Sequence, residues 1–339
     1  MEIKTKVNNL KKYKIYLKVE QAVHEFLQKK GYLKLELPVL SPALIPESYL
    51  EIFETEFRYL VKKEKLYLTP SPELFMKRLL VAGIGDCYYL GKSFRNSEPN
   101  SVFHSPEFTM LEYYKTDSNY MDIADELLKL LQFINSRVNE FSEFKKKNQV
   151  IYQTNKISLE KWEKLTVEEA FKKYAGVNSK ELFNHKIFFI KARQKGYKVK
   201  YFTYEDVWSQ IYTQEVEPHL GMNGYPTLIY DYPKEFAALA KLNSGRKTAQ
   251  RFEFYIAGVE LGDCYTELTD WREQDKRFKM EDIRRKKKEK VVHPIDKGFI
   301  KALQYGLKPC AGIAIGFERL AMIFANVQSI NQLKLINIV

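Results

Sequence analysis

His104-Ser105-Pro106-Glu107-Phe108-Thr109-Met110-Leu111-Glu112-Tyr113-Tyr114 is the stretch whose reading decides the fold. Alternation over 107–114 predicts a strand with Phe108, Met110, Glu112 and Tyr114 on one face. An aromatic ring, a carboxylate and a phenol on one face make a mixed polar surface, unusual for a core. Upstream, Tyr88 to Arg95 predicts a second strand, and the polar segment Asn96–Ser105 joins the two as a long hairpin-like loop. Arg95 sits on the partnering strand, where its guanidinium fork can hold a phosphate or a carboxylate bidentately. Phe108 can stack on a base. The same pattern also describes an amphipathic hairpin with one solvated face, and periodicity alone favours that plainer reading.

Two further segments carry chemistry. In Arg251-Phe252-Glu253-Phe254-Tyr255-Ile256-Ala257-Gly258-Val259-Glu260-Leu261-Gly262, a two-residue turn at Ala257-Gly258 would pair Ile256 with Val259 and Tyr255 with Glu260. Glu253 and Glu260 then share a face, where two carboxylates repel unless a cation lies between them. Mg²⁺ on a nucleotide suits such hard oxygen ligands. Two exposed glutamates on a solvated face are the plainer reading, and the pattern alone favours it. Glu267 follows, and regular alternation puts it on the opposite face from Glu260 unless a bulge or turn intervenes. In Gly312-Ile313-Ala314-Ile315-Gly316-Phe317-Glu318-Arg319-Leu320, the small residues share one face of a strand, which lets a ligand approach the backbone. Arg319 then opens a helix whose N–H groups and guanidinium can address an anion. A glycine-relieved packing contact is the plain alternative.

Around these segments the pattern is mixed. Ile15, Val19, Ala22, Val23, Phe26 and Leu27 predict a helix over 15–30 that Gly31 ends, and Tyr32 to Pro38 predicts a short strand. Residues 51–70 read as strands with a turn, and 123–138 as an amphipathic helix. Thr166 and Glu169 have capping-box spacing ahead of a helix closed by Gly176, with more helical signal at 180–195 and 204–215. Sheet signal returns at 226–232 and 251–265. A charged helix over about 269–290 ends in the basic run from Arg284 to Lys290.

The chain has 339 residues, a formal net charge of +12 and 23 Tyr with 22 Phe, so a large core is available and wholesale disorder is excluded. The length suggests roughly two domains, or one large domain with insertions. The basic balance fits an acidic or polyanionic partner, or simply a lysine-rich solvated surface. Three scattered cysteines form no Cys-x-x-Cys pair, so a structural zinc site has almost no sequence support and a reducing compartment is expected. The Lys-rich start, Met1 to Lys14, has no apolar signal core. No apolar run approaches the roughly 20 residues of a membrane span. The expected location is the cytoplasm.

Together and in this order, the segments resemble the signature motifs of class II aminoacyl-tRNA synthetases in the lysine/aspartate/asparagine subgroup. Ser71-Pro72-Glu73-Leu74-Phe75-Met76-Lys77-Arg78-Leu79-Leu80, the block from His104 to Tyr114, and Glu260 through Asp270 look lysyl-like. The class II helix starts at once, which leaves no room for an anticodon-binding barrel, so tRNA is not the expected acceptor. A free-standing lysyl-type catalytic domain resembles the family of elongation factor P lysine ligases. Ser71 before Pro72-Glu73, Glu217-Pro218-His219-Leu220-Gly221, the segment Pro226 to Pro233, and Ala314 where synthetases usually have Gly look closer to that family.

The resemblance implies an α+β class II catalytic fold, a mainly antiparallel sheet flanked by helices. It implies one domain over 1–339 with a helical insertion near 160–220, and a homodimer through the 15–30 helix and the strand ending at Pro38. It implies ATP and Mg²⁺, lysine or β-lysine as substrate, and elongation factor P, an acidic protein, as acceptor. Arg95 and Arg319 would be catalytic, gripping the ATP phosphates and the substrate carboxylate. Phe108 would stack on adenine, while Asn96, Ser97, Glu98 and Ser105 line the nucleotide and Leu261 and Gly316 meet it by backbone. Glu253 and Glu260 would hold Mg²⁺. Ser71, Pro72 and Glu73 would meet one amino group of the substrate, and Glu112, Tyr114 and Glu267 the other, with Ala314 walling the pocket. Two departures stand out: Ser97 precedes Glu98 in a loop one residue longer than the family pattern, and Asp263 replaces the usual Asn.

Overall fold

Helix Leu10–Lys29 buries Val19, Ala22, Val23, Phe26 and Leu27, the stripe read from the sequence, and starts five residues earlier than its apolar face requires. Lys30 caps it and Gly31, at φ +88°, turns the chain out in the left-handed region. The computed structural model describes residues 2–97, 101–139, 148–245, 247–288 and 290–338. The chain divides into two units, Met1–Ser118 with Glu267–Val339, and Asn119–Thr266.

In the first unit, strand Glu107–Thr116 is central. Cys87–Phe94 pairs antiparallel on one side of it, with Cys87 opposite Tyr114 and Phe94 opposite Glu107. Cys310–Gly316 pairs antiparallel on the other, with Gly312 opposite Tyr114 and Ala314 opposite Glu112. Leu33–Lys34 adds a short parallel edge against Cys87–Tyr88. The expected strand from Tyr32 to Pro38 is thus reduced to a two-residue ladder. Leu35 N–H still bonds Tyr88 O at 2.8 Å, and Pro38, lacking an N–H, cannot extend it. Helix Phe317–Ala325 packs on Leu10–Lys29 and on the central strand, while Glu73–Val81 and Trp271–Lys287 both pack on Lys297–Gln304. A separate hairpin, Glu54–Tyr59 with Lys62–Leu68, accounts for the strand signal of 51–70.

The basic run beginning at Arg284 is not wholly a solvated surface. Arg285 is buried, donating to the carbonyls of Glu47 (2.7 Å), Leu50 (2.6 Å) and Val291 (2.6 Å). It therefore cannot serve an external partner, and Glu289 lies outside the described residues.

In the second unit the strand order is Glu163–Thr166, Thr227–Pro233, Thr248–Ile256, Val259–Thr266. The first pair is parallel and the others antiparallel. Helix Tyr120–Val138 opens on an Asn119/Asp122 capping box. Residues 167–219 are largely helical; capping boxes at Thr166/Glu169, Asn178/Glu181 and Thr203/Asp206 set three of the starts. Their aromatic faces bury Phe171, Phe188, Trp208 and Tyr212 together with Ile229, Tyr232 and Tyr255 of the sheet. Among the described residues, no helix is long and apolar enough to cross a membrane.

The Ala257-Gly258 turn forms with the register read from the sequence, Ile256 opposite Val259 and Tyr255 opposite Glu260. Leu220 and Gly221 clamp it: Gly258 N–H bonds Leu220 O at 2.9 Å and Ala257 N–H bonds Gly221 O at 3.0 Å. Gly221 sits at φ +73°, and a Cβ there would lie 2.7 Å from Ala257 N and 2.8 Å from Tyr255 O, both backbone atoms that cannot swing away. Gly221→Ala is expected to lower unfolding free energy by roughly 1–3 kcal/mol through strain and overpacking. Urea denaturation checks it; an unchanged midpoint would show that the clamp is not rigid.

Candidate active site

In the first unit, the register of the two antiparallel ladders fixes one group of side chains. Glu112 and Tyr114 share a face of the central strand, and Tyr114 Oη donates to Glu112 Oε1 at 2.8 Å. Ser71 Oγ donates to Glu112 Oε2 at 2.9 Å and accepts from Glu73 N–H at 3.1 Å, so the turn into helix Glu73–Val81 is tied to the strand. Pro72 caps that helix, where a missing N–H costs nothing. Ala314 lies directly across from Glu112 on the same sheet face. At Gly312 the bare strand face admits the ring of Tyr114, not a ligand: a Cβ would lie 2.3 Å from that ring. The packing reading of this glycine is therefore correct.

Glu73 and Glu267 join this group through a residue to which the sequence reading gave no role. Lys77 Nζ pairs with Glu73 one turn back on the helix and with Glu267 Oε2 at 2.5 Å, and Lys77 and Glu267 are both buried. Burial alone would pull the lysine down; Glu267 and then Glu73 outweigh it and hold Lys77 above the usual lysine range. The signal was present: Leu74, Lys77 and Leu80 fall on one stripe, so a lysine occupies an apolar face. Glu112 feels Lys77 only weakly. Burial first, and then the charge of Glu73, push its carboxyl up to about 8, against the pull of Tyr114, Ser71 and Lys77.

A second group in the same unit surrounds Arg95. Its N–H bonds Pro106 O at 2.9 Å, which closes the loop end, and its guanidinium lies over the Phe108 ring at 5.3 Å. Asn96 does structural work: its N–H bonds Glu51 O at 2.9 Å and its side chain reaches Ile52 O at 3.3 Å. Ser97 takes a left-handed backbone at φ +61° and is exposed. Glu98 lies outside the described residues. Ser105 Oγ accepts from Lys334 Nζ at 3.2 Å, and Arg319 Nε donates to Phe103 O at 3.1 Å. Helix Phe317–Ala325 begins two residues before Arg319, with Gly316 as its cap. In its first turn, buried Glu318 takes the Thr109 N–H on both oxygens at 2.9 Å and so pins the helix to the central strand.

In the second unit, Glu253 and Glu260 share a sheet face, as the register implied. A bulge at Leu261 then shifts the phase, so that Asp263 stands opposite Glu253 and Tyr265 opposite Arg251. A cation does lie among these carboxylates, and it belongs to the protein. Arg251 Nη2 donates to Glu253 Oε1 at 2.8 Å and lies 3.5 Å from Asp263 Oδ2, while its guanidinium stacks over Tyr232 and Tyr265. Asp263 also accepts from Tyr265 Oη at 2.6 Å. Beneath them Tyr255 donates to Glu253 Oε2 at 2.9 Å, and Tyr212 bonds the hydroxyls of Tyr232 and Tyr255. Glu253 is raised to about 7: burial lifts it most, Arg251 pulls it down in part, and Glu260 adds to the rise. Among the described residues, no group of three or more His, Cys, Asp or Glu could hold a metal by itself. Both oxygens of Glu253 are engaged, Oε1 by Arg251 and Oε2 by Tyr255, so a metal ion held by Glu253 and Glu260 would have to share them.

Glu112 generates a stability prediction. Its folded-state value of about 8 lies above its ordinary 4.5, so the stability linked to its bound proton is fully present below pH 4.5 and is lost as pH rises through about 8. Glu112→Gln keeps the shape and can satisfy Tyr114 and Ser71. It should flatten the stability profile over this window and leave the variant more stable than wild type near pH 8, by on the order of a few kcal/mol. Thermal melts across pH check it. Parallel profiles would mean that Glu112 is ionised throughout.

The model of the family "tRNA synthetases class II (D, K and N)" matches residues 3–336. The chain is 33% identical to the elongation factor P--(R)-beta-lysine ligase of Proteus mirabilis over 334 residues, covering 96% of this chain and 93% of the relative. It is 34% identical to the ligase of that name from Vibrio cholerae, covering 89% and 87%, and 33% identical to that from Buchnera aphidicola subsp. Baizongia pistaciae, also 89% and 87%. An α+β fold with a mainly antiparallel sheet, the order of its motifs and these matches agree: the chain belongs to the class II tRNA synthetase family, in the D, K and N branch that also holds the elongation factor P--(R)-beta-lysine ligases.

Proposed function

We propose that the chain activates lysine or β-lysine with ATP as an aminoacyl-adenylate and passes the acyl group to a lysine side chain of elongation factor P. The observation that carries this reading is the cluster of buried Glu112, Glu267 and Tyr114 with half-buried Glu73 and Ser71, which suits an amine. The relatives' printed name supports β-lysine and the protein acceptor. The positive net charge suits an acidic one. A homodimer through helix Leu10–Lys29 belongs to the same reading; Leu10 and Leu17 are exposed there.

In the first step a carboxylate oxygen of the amino acid attacks the α-phosphorus of ATP. The bond to the bridging oxygen breaks, and pyrophosphate leaves. In the second, the acceptor amine attacks the acyl carbon, AMP departs with the electron pair of the broken C–O bond, and the nitrogen loses a proton to become an amide. Catalysis is positioning plus charge stabilisation. Arg95 and Arg319 grip the phosphates and the substrate carboxylate, and Phe108 offers its ring to adenine. Asn96, Ser97, Glu98 and Ser105 border the nucleotide, and Leu261 and Gly316 offer backbone. Mg²⁺, when bound, neutralises phosphate charge, and Glu253 and Glu260 would hold it. Ser71, Pro72 and Glu73 meet one amino group, and Glu112, Tyr114 and Glu267 the other.

ATP–pyrophosphate exchange with a panel of amino acids, followed by label transfer to elongation factor P or to tRNA, tests the whole reading. Exchange with lysine or β-lysine and transfer to protein is the expected result; transfer to tRNA alone would make the chain a synthetase. Within that assay Glu267→Gln should cost roughly 2–5 kcal/mol in amino-acid kcat/KM, because it leaves a buried charge unpaired, with ATP KM little changed. Equal damage to both substrates would remove Glu267 from amine recognition.

Ala314 should set the choice of isomer. Its Cβ is on the Glu112 face, and a β-amino acid must bend differently from an α-amino acid behind one carboxylate anchor. One methyl in a packed site discriminates by roughly 1–3 kcal/mol. Ala314→Gly should raise exchange with α-lysine relative to β-lysine by about 10-fold. An unmoved ratio would show that Ala314 does not wall the pocket.

A further inference from the structure

A glutamate and a lysine at i and i+4 on a helix are ordinarily a solvated pair of small consequence. Glu73 and Lys77 have that spacing, but Lys77 is only 3% exposed and its ammonium also meets Glu267, whose side chain is fully buried. One internal cation thus bridges a carboxylate on helix Glu73–Val81 and one on the segment that follows Thr266. Glu267 is anchored there by its N–H to Cys310 O at 2.9 Å. Facing the same group are Glu112, the Tyr114 hydroxyl and the Cys310 thiol, all buried, and the last two held neutral by burial and the surrounding carboxylates. Among these groups Lys77 is the cation that faces three carboxylates.

We propose that Lys77 is a positioning residue for amino-acid recognition, an internal counter-ion that holds Glu73 and Glu267 at a fixed span for the incoming ammonium. This rests on the proposed amine pocket. Two carboxylates balanced against one lysine leave a single net negative charge to attract the substrate amine. Glu112, raised by burial and only weakly offset by Lys77, is then the group that gives up its proton as the substrate cation arrives. Without Lys77, three carboxyl groups, two of them buried, would crowd together with no positive charge, which favours uptake of a second proton by the cluster.

Linkage gives the signature. In wild type the amino-acid KM should fall as pH rises from about 6 to 8, with the release of one proton from Glu112; in Lys77→Met the fall should be steeper, because two protons must leave. At about pH 7 the variant's amino-acid KM should be at least about 10-fold higher, with ATP KM within about 2-fold, and Lys77→Arg should restore most of the loss. Amino-acid and ATP KM rising together, with an unchanged pH slope, would make Lys77 merely structural and overturn the proposal.

If Lys77→Met does not fold, Lys77→Met/Glu267→Gln removes one charge of each sign and takes its place. Its amino-acid loss should not exceed that of Glu267→Gln by the full effect expected of Lys77, since the two act as a unit; a fully additive loss would overturn the proposal. Infrared counting of protonated carboxyl groups on the ligand-free chain near neutral pH needs no turnover. One more protonated carboxyl is expected in Lys77→Met than in wild type, and an equal count would overturn the proposal. Wild type that exchanges with no amino acid, alongside a variant with the extra protonated carboxyl, would sink the proposed function and leave the counter-ion arrangement standing.

Discussion

The register of Cys310–Gly316 against Glu107–Thr116 is the constraint on which the amine pocket depends. It sets Ala314 opposite Glu112 and Gly312 opposite Tyr114. A slip of one residue would turn Glu112 and Tyr114 away from the face that bears Ala314 and would drive an isoleucine side chain into the space that the Tyr114 ring occupies. Both ends are pinned. At one, Asp117 N–H bonds Pro309 O at 2.7 Å. At the other, the strand runs straight into helix Phe317–Ala325, whose Glu318 holds the Thr109 N–H with both oxygens. A carboxylate in the first turn of a helix is favourably placed for the helix dipole and here also fixes a sheet register.

Each unit crowds carboxylates together around a cation of a different kind, buried in the first and half-buried in the second. Lys77 is a compact point charge between Glu73 and Glu267. Arg251 is a planar fork that spans Glu253 and Asp263, donates to Phe236 O at 2.9 Å and stacks on two tyrosine rings. The difference follows from geometry: two carboxylates reaching one point suit an ammonium, whereas acceptors spread along a sheet face suit a guanidinium. Buried ion pairs of this kind add little net stability over apolar packing, yet breaking one is costly. Their value here is arrangement, since they hold acidic oxygens in fixed positions where an apolar core would hold none.

The parts legible in the sequence were those where a period of two met polar residues. Alternation alone gave the faces of Phe108, Glu112 and Tyr114, and the Ala257-Gly258 turn set the pairing that brings Glu253 and Glu260 to one face. Helix starts were legible where a capping box announced them, as at Thr166/Glu169. Burial of charge was not. Arg285 looks like a solvated helical residue by spacing, and only the elements that pack over it make it internal; Lys77 shares a stripe with Leu74 and Leu80, but that stripe does not reveal its partner Glu267. Nor does a pattern of period two foretell how long a ladder lasts, which is why the strand expected from Tyr32 to Pro38 shrank to Leu33–Lys34.

The bulge at Leu261 joins these themes. Regular alternation would put Asp263 on the face away from Glu260, where a carboxylate in place of the usual Asn would have little effect on the metal-facing side. Adding one residue to the strand reverses that, so Asp263 comes to stand opposite Glu253. Its charge does not add freely to that face, because Arg251 and the Tyr265 hydroxyl already take up its Oδ2. Glu253, by contrast, gains repulsion from Glu260 and Asp263 together, so its affinity for a proton or a metal reflects both neighbours. The substitution therefore acts through the guanidinium: Asp263 shares Arg251 with Glu253, and a share given to one carboxylate is withdrawn from the other.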